Sequence, residues 1–251
     1  MDVTLISKMF EELPRQGPGL DESTAYACSQ IPINLKGGKI LDIGCGSGMQ
    51  TLILAKIYPD CIITATDLYQ PFLNDLTLRA KKEGLEGRIV THQASMDNLP
   101  FDKSSFDIIW SEGSAFIIGL SNALMYWKNF LKSDGYLVVS ESAWFIDSPS
   151  DECKKFFDEI YPDIKSESDT KEIIRDAGFH VISTFRLPDS GWWDNYYSPL
   201  IKRIPLLKEI YADNSDAQMI ISGLEKEMEI HQKYSNEYGY TFFVLKKQGN
   251  Y

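Results

Sequence analysis

Residues 40 to 51, Ile-Leu-Asp-Ile-Gly-Cys-Gly-Ser-Gly-Met-Gln-Thr, run as an apolar strand into three glycines at alternate positions and then into helical spacing. That junction constrains the chain more than any other segment. Gly44, Gly46 and Gly48 permit positive φ and let a ligand approach the backbone more closely than any Cβ allows. A second apolar run, Cys61 to Thr66, ends in Asp67, about 20 residues past the glycines, where an acidic side chain at a strand tip can grip ribose hydroxyls.

From Lys39 onward short β-rich runs alternate with helical periods, the pattern of a parallel sheet with crossover helices. Strands are expected at 39–43, 61–66, 88–92, 106–110, 135–141, 179–187 and 239–247. Helices are expected near 48–57, 70–83, 120–132 and 151–177, the last broken by Pro162. Ahead of this core, two helices at 3–13 and 21–31 flank the turn-rich segment Pro14 to Gly19. Between the last two strands, residues 188–237 are too long for a hairpin and carry helical periods of their own, so an added element is expected there. The whole, 1–251, reads as one domain: an amino-terminal helical lid (1–38), a core (39–187 and 238–251) and an aromatic-rich helical insertion (188–237).

The formal charge of −11 and the scattered basic pairs disfavour a nucleic-acid partner held by phosphate contacts. Four widely spaced cysteines, with no Cys-x-x-Cys and no His-rich neighbourhood, predict free thiols and no metal site. No apolar run reaches the ~20 residues of a membrane span and no signal peptide is evident, so no membrane partner and a cytoplasmic location are expected. The oligomeric state is open.

A dinucleotide fingerprint requires glycine where this chain has Met49. The spacing Gly44-x-Gly46-x-Gly48 after Leu41-Asp42-Ile43, the acidic Asp67, the segment Ser95 to Phe101 and the segment Ser105 to Gly113 together resemble class I S-adenosylmethionine-dependent methyltransferases. Within these the chain is most similar to the ubiquinone/menaquinone-biosynthesis-like, type 11 group of small-molecule enzymes. The resemblance implies a Rossmann-like α/β fold with a seven-stranded sheet of order 3-2-1-4-5-7-6, the last strand antiparallel. It also implies S-adenosyl-L-methionine as cofactor, with S-adenosyl-L-homocysteine as product. On that resemblance Asp42 orders the glycine loop and faces the methionine amino group, lined by Gly44, Cys45, Gly46 and Gly48. Asp67 chelates the ribose diol, Leu68 and Phe72 flank adenine, and Asp97 accepts from the adenine amino group beside Ser95 and Met96. Ser111, Glu112 and Gly113 follow the fourth strand, where cofactor and acceptor meet.

A sulfonium methyl is already electrophilic, so alignment of a nucleophile and exclusion of water carry much of the chemistry. Glu112 and Glu141, after strands four and five, are the candidate proton acceptors. Trp144, Trp192, Trp193, Tyr196 and Tyr197 are candidates for an aromatic wall over a small-molecule acceptor, with Glu112 as a polar contact and Gln16 and Tyr26 in the lid. Two alternatives stay open: a non-catalytic S-adenosylmethionine-binding protein and, less favoured, a nicotinamide-dependent oxidoreductase.

Overall fold

The computed structural model describes residues 3–33 and 35–249, so the expected end points of the domain, Met1 and Tyr251, lie outside the described residues. In chain order the elements are α1 (Val3–Met9), α2 (Asp21–Ser29), β1 (Lys39–Ile43), α3 (Met49–Ile57), β2 (Ile62–Asp67), α4 (Gln70–Lys82), β3 (Ile89–Gln93), β4 (Phe106–Glu112), α5 (Leu120–Trp127) and β5 (Leu131–Trp144). There follow α6 (Asp151–Ile160), β6 (Lys165–Ser166), α7 (Glu167–Asp176), β7 (Phe179–Arg186), the short turn α8 (Ser190–Trp192), α9 (Ser198–Ile210), α10 (Ser215–Tyr234) and β8 (Tyr238–Lys247).

The sheet runs β3-β2-β1-β4-β5-β8-β7, which is the expected order of the seven long strands; the two-residue β6 adds to the end of β5. Only β8 is antiparallel, to both β5 and β7. Its central strands read as continuous apolar runs because helices cover both faces. On one face Ile40, Ile108, Trp110, Val138 and Phe242 pack with Leu52, Leu73 and Leu76 of α3 and α4. On the other, Leu41, Ile109, Val139 and Phe243 pack with Leu124, Trp127 and Ile174 of α5 and α7.

The helical period at 151–177 breaks around Pro162, as expected, α6 ending at Ile160 and α7 starting after Ser166, whose hydroxyl caps it by accepting from the Asp169 amide. One difference from expectation matters for the site. β5 is longer than its apolar core: it starts at Leu131 opposite Phe106, and a shift in pairing before Ile108 absorbs the polar Lys132-Ser133-Asp134 stretch that resembles a turn. Glu141 therefore stands inside β5, not beyond it. Glu112 is in register with Ser140 of β5, so by strand alternation Glu112 and Glu141 belong to opposite faces of the sheet.

The lid and the insertion hold each other. The Gly19 amide donates to the Gly191 carbonyl (2.9 Å), Arg203 Nε donates to the Met9 carbonyl (2.9 Å), and the rings of Phe10 and Tyr196 stack at 6.1 Å. Arg79 of α4 anchors the lid further by donating to the carbonyls of Leu13 and Pro14.

Candidate active site

At the carboxyl end of β1 the chain turns through Gly44, Gly46 and Gly48, all at positive φ (68°, 53° and 81°). Asp42 sits below this loop, fully buried. Its Oδ2 accepts from Thr51 Oγ1 (2.6 Å), and Gln50, 3.5 Å from Oδ1, also donates to the Cys45 carbonyl. Asp42 thus orders the loop, as expected, but its carboxylate is enclosed by protein and does not face a ligand directly. Burial pushes its pKa up to about 7 against these donors.

Asp67 ends β2 and bridges two backbone amides, Gly46 (2.9 Å) and Tyr69 (2.9 Å), one on each oxygen. Each oxygen retains a lone pair for a further donor, which is what a ribose diol requires. Leu68 beside it is exposed and free to lie on a planar base. Phe72 is not: it is buried in the core, edge-on to Tyr69 at 5.0 Å, so its expected adenine contact is replaced by packing under α4.

Ser95, Met96 and Asp97 form a tight turn closed by pairing of Ser95 with Asn98, with the Ser95 hydroxyl on the Asp97 carboxylate. Trp127 Nε1 fixes the turn by donating to the Met96 carbonyl (2.8 Å), while Asp97 itself stays exposed at the rim. The Met96 methyl lies 3.5 Å from where a Cβ on Gly44 would stand. Ser111 is wholly buried on Ser114 (2.7 Å), which in turn donates to the Ile43 carbonyl (3.1 Å), so Ser111 braces β4 against the loop instead of presenting its hydroxyl.

Glu112 was expected as a proton acceptor or substrate contact. Its Oε1 accepts from Thr24 Oγ1 (2.7 Å) and Trp110 Nε1 (2.9 Å), and Arg15 Nη1 stands 3.5 Å from Oε2. Burial raises its pKa while Arg15, Thr24 and Trp110 oppose that. With its oxygens occupied by lid residues, Glu112 fastens the lid to the sheet. Glu141 differs: it is 3% exposed, one oxygen accepts from the Ser142 amide (2.9 Å), and the Tyr161 hydroxyl is the other donor near it. Burial pushes its pKa up to about 7, opposed by that amide and by the Tyr161 hydroxyl.

Gly113, φ 56°, donates to Ser140 Oγ (2.9 Å) and lies under the ring of Tyr240; a Cβ there would stand 2.7 Å from that ring. Tyr240 and Tyr238 of β8 meet the insertion through Trp192, with centroids at 5.1 and 6.0 Å. Trp192 stacks on His231 at 4.2 Å, and Tyr197 packs on both Trp192 and Tyr196. The expected wall therefore forms from Trp192, Tyr196 and Tyr197, joined by two tyrosines that sequence reasoning passed over. Trp193 is at its margin against Tyr197 (5.2 Å), and Trp144 reaches it only through Tyr238 and Phe157.

The lid residues divide. Gln16 Oε1 accepts from the Ser47 amide (2.7 Å), which puts this side chain on the glycine loop and not on the acceptor wall. Tyr26 points away, half exposed and edge-on to Phe185 at 4.8 Å. Glu227 of α10 was also missed. It occupies the apolar stripe Ile220, Leu224, Glu227, His231, where a lone carboxylate among apolar neighbours was the available signal.

A glycine loop that admits no Cβ, an acidic strand tip with spare acceptor capacity and an exposed apolar side chain beside it fit the methionine, ribose and adenine parts of S-adenosylmethionine. The methyltransferase domain family matches residues 41–139. An uncharacterized methyltransferase of Bacillus subtilis is 27% identical over 212 residues, covering 83% of this chain and 84% of that protein. An S-adenosylmethionine-dependent methyltransferase of Geobacter sulfurreducens, solved with S-adenosyl-L-homocysteine, superposes with a TM-score of 0.81 at 18% identity, over 98% of each chain. One from Thiobacillus denitrificans, with the same ligand, gives 0.79 at 17% identity over 99% of each. Residues 41–139 thus carry a methyltransferase domain, on the fold that these S-adenosylmethionine-dependent methyltransferases share. Its cofactor is S-adenosylmethionine, and the nicotinamide alternative is set aside. Among the described residues no cluster of three or more His, Cys, Asp or Glu is placed to hold a metal ion, and no helix is long and apolar enough to cross a membrane.

Proposed function

We propose that the chain methylates a small molecule held between the carboxyl edge of β4 and β5 and the insertion, as a single cytoplasmic domain in which the lid and the insertion close over a common site. The observation that carries this is the clasp of Gly19 on Gly191 and Phe10 on Tyr196, which joins the lid to the insertion and favours a compact acceptor over a polymer. The four buried free thiols suit a reducing compartment. Matched relatives include a malonyl-[acyl-carrier protein] O-methyltransferase, a fatty-acid O-methyltransferase and a glycine/sarcosine/dimethylglycine N-methyltransferase. A ribosomal RNA enzyme matches over 32% of this chain, against 37%, 59% and 30% for those three.

The cofactor supplies a methyl group on sulfonium: the acceptor's lone pair bonds to it as the C–S pair returns to sulfur. The chain's own part is to orient, to exclude water and to accept the acceptor's proton. Glu141 is the candidate for that last role, because among the described residues no cation pairs with it, whereas Arg15 holds Glu112. Conversion of S-adenosylmethionine to S-adenosylhomocysteine with a panel of amines, thiols, phenols and carboxylic acids tests the reading. Labelled-methyl transfer into bulk RNA or protein, with none into the panel, would refute it.

A further inference from the structure

Glu227 occupies an unusual place for a carboxylate. It projects from the core-facing stripe of α10 toward tyrosines, and its Oε1 accepts from Tyr197 Oη at 2.9 Å. Among the described residues no Lys, Arg or His pairs with it, and its other oxygen has no protein donor. An uncompensated charge at such a site is unfavourable, and burial accordingly raises its pKa to about 7. Nearby stands Tyr238, 1% exposed, whose hydroxyl has no hydrogen-bond partner and responds to Glu227 more than to any other charge. Trp192 gathers the rings of Tyr197, Tyr238 and Tyr240 within 5.1–6.0 Å of its own.

We propose that Glu227, Tyr197, Tyr238, Tyr240 and Trp192 form a recognition subsite for a positively charged amine carried by the methyl acceptor. Aromatic faces attract a cation, and the carboxylate gives it a counter-charge that the protein itself does not provide. A neutral ligand would leave Glu227 as uncompensated as before, and an anion would be repelled. Tyr240 is also the ring that covers Gly113 at the end of β4, which sets the box beside the carboxyl edge of that strand. Tyr240 pairs with Ser142 on β5, the residue after the candidate proton acceptor Glu141.

This subsite rests on the methyltransferase reading with a small acceptor, and the experiment separates the two. Calorimetry at pH 8.5 on the full chain first measures S-adenosylhomocysteine, then titrates the loaded protein with choline, ethanolamine and 3,3-dimethylbutanol, the neutral carbon isostere of choline. The expected result is that one or both cations bind at least about tenfold more tightly than the alcohol. Glu227→Gln removes that preference while S-adenosylhomocysteine binds as in the parent. Tyr197→Phe, which keeps the ring and removes the hydroxyl, weakens the preference severalfold and guards against a folding defect in the first variant. Equal or absent binding of all three probes to the loaded parent overturns the subsite, as does a preference that survives Glu227→Gln. Failure of S-adenosylhomocysteine itself to bind overturns the methyltransferase reading, and the subsite with it.

Discussion

Arg15 of the lid stands 3.5 Å from Glu112 at the tip of β4, with 5% and 4% of the two side chains exposed. Arg15 also pairs with Asp21 at 2.8 Å, so one guanidinium joins the start of α2 to the sheet. The lid is held by charge as well as by packing.

Removing one partner of a buried pair leaves the other uncompensated, typically at a cost of about 3–5 kcal/mol. Glu112→Gln keeps the hydrogen bonds from Thr24 and Trp110 but leaves Arg15 with Asp21 alone, so the loss falls at the low end of that range or below. The expected outcome is a lower melting temperature together with new proteolytic cleavage between residues 10 and 20. A variant that lost turnover with stability and protease resistance unchanged would instead make Glu112 a proton acceptor.

Asp67→Asn removes the charge that holds the Gly46 amide and that is proposed to take the ribose hydroxyls. Charge-assisted hydrogen bonds are worth about 1.5–3 kcal/mol each, so S-adenosylhomocysteine affinity is expected to fall roughly tenfold to a hundredfold, measured by calorimetry. Unchanged affinity would remove Asp67 from the site.

Gly46→Ala strains the loop twice. Its φ of 53° costs an L-residue about 1–2 kcal/mol, and the new methyl would collide with the Gln16 carboxamide. Combining it with Gln16→Ala relieves the collision and leaves the backbone strain. The double variant is therefore expected to lose less stability than the sum of the single ones in a denaturant-unfolding cycle.

Glu141 gives a pH signature. Its folded pKa of about 7 lies above the ordinary 4.5, so the folded state holds the proton more tightly. The stability this contributes is full below about pH 4.5 and is lost as pH rises through 7, on the order of 3 kcal/mol for this buried group. Glu152 acts in the opposite sense: Lys226, Tyr234 and Lys233 lower its pKa to about 2, so its contribution is lost as pH falls from 4.5 toward 2. A stability maximum near pH 5 is expected, and Glu141→Gln should flatten the alkaline side. In turnover the same variant should lose about a hundredfold or more if Glu141 takes the proton. Full activity would dismiss that role.

The donor half of the site was legible because short-range rules govern it. Gly44 to Gly48 and Asp67 lie at strand ends whose apolar runs are plain, and the strand order followed from the family resemblance those residues carry. The acceptor half was harder to read because its residues come together only across the sheet and the insertion. Tyr238, Tyr240 and Phe242 alternate on one face of β8, yet nothing local says that this face meets Trp192. Phe72 and Tyr26 were misplaced for a related reason: sequence position put them near the ligand, while their helices turned one inward and the other outward. Glu112 and Glu141 looked like a pair until the register of β4 on β5 put them on opposite faces.

The bond from Gly19 to Gly191 ties segments far apart in the chain into a single shutter. Lifting either half breaks that bond and the Phe10–Tyr196 stack, so donor exchange and acceptor entry are expected to share one opening event. If that opening limits turnover, slowing it lowers the rate for every acceptor alike, whatever its intrinsic nucleophilicity.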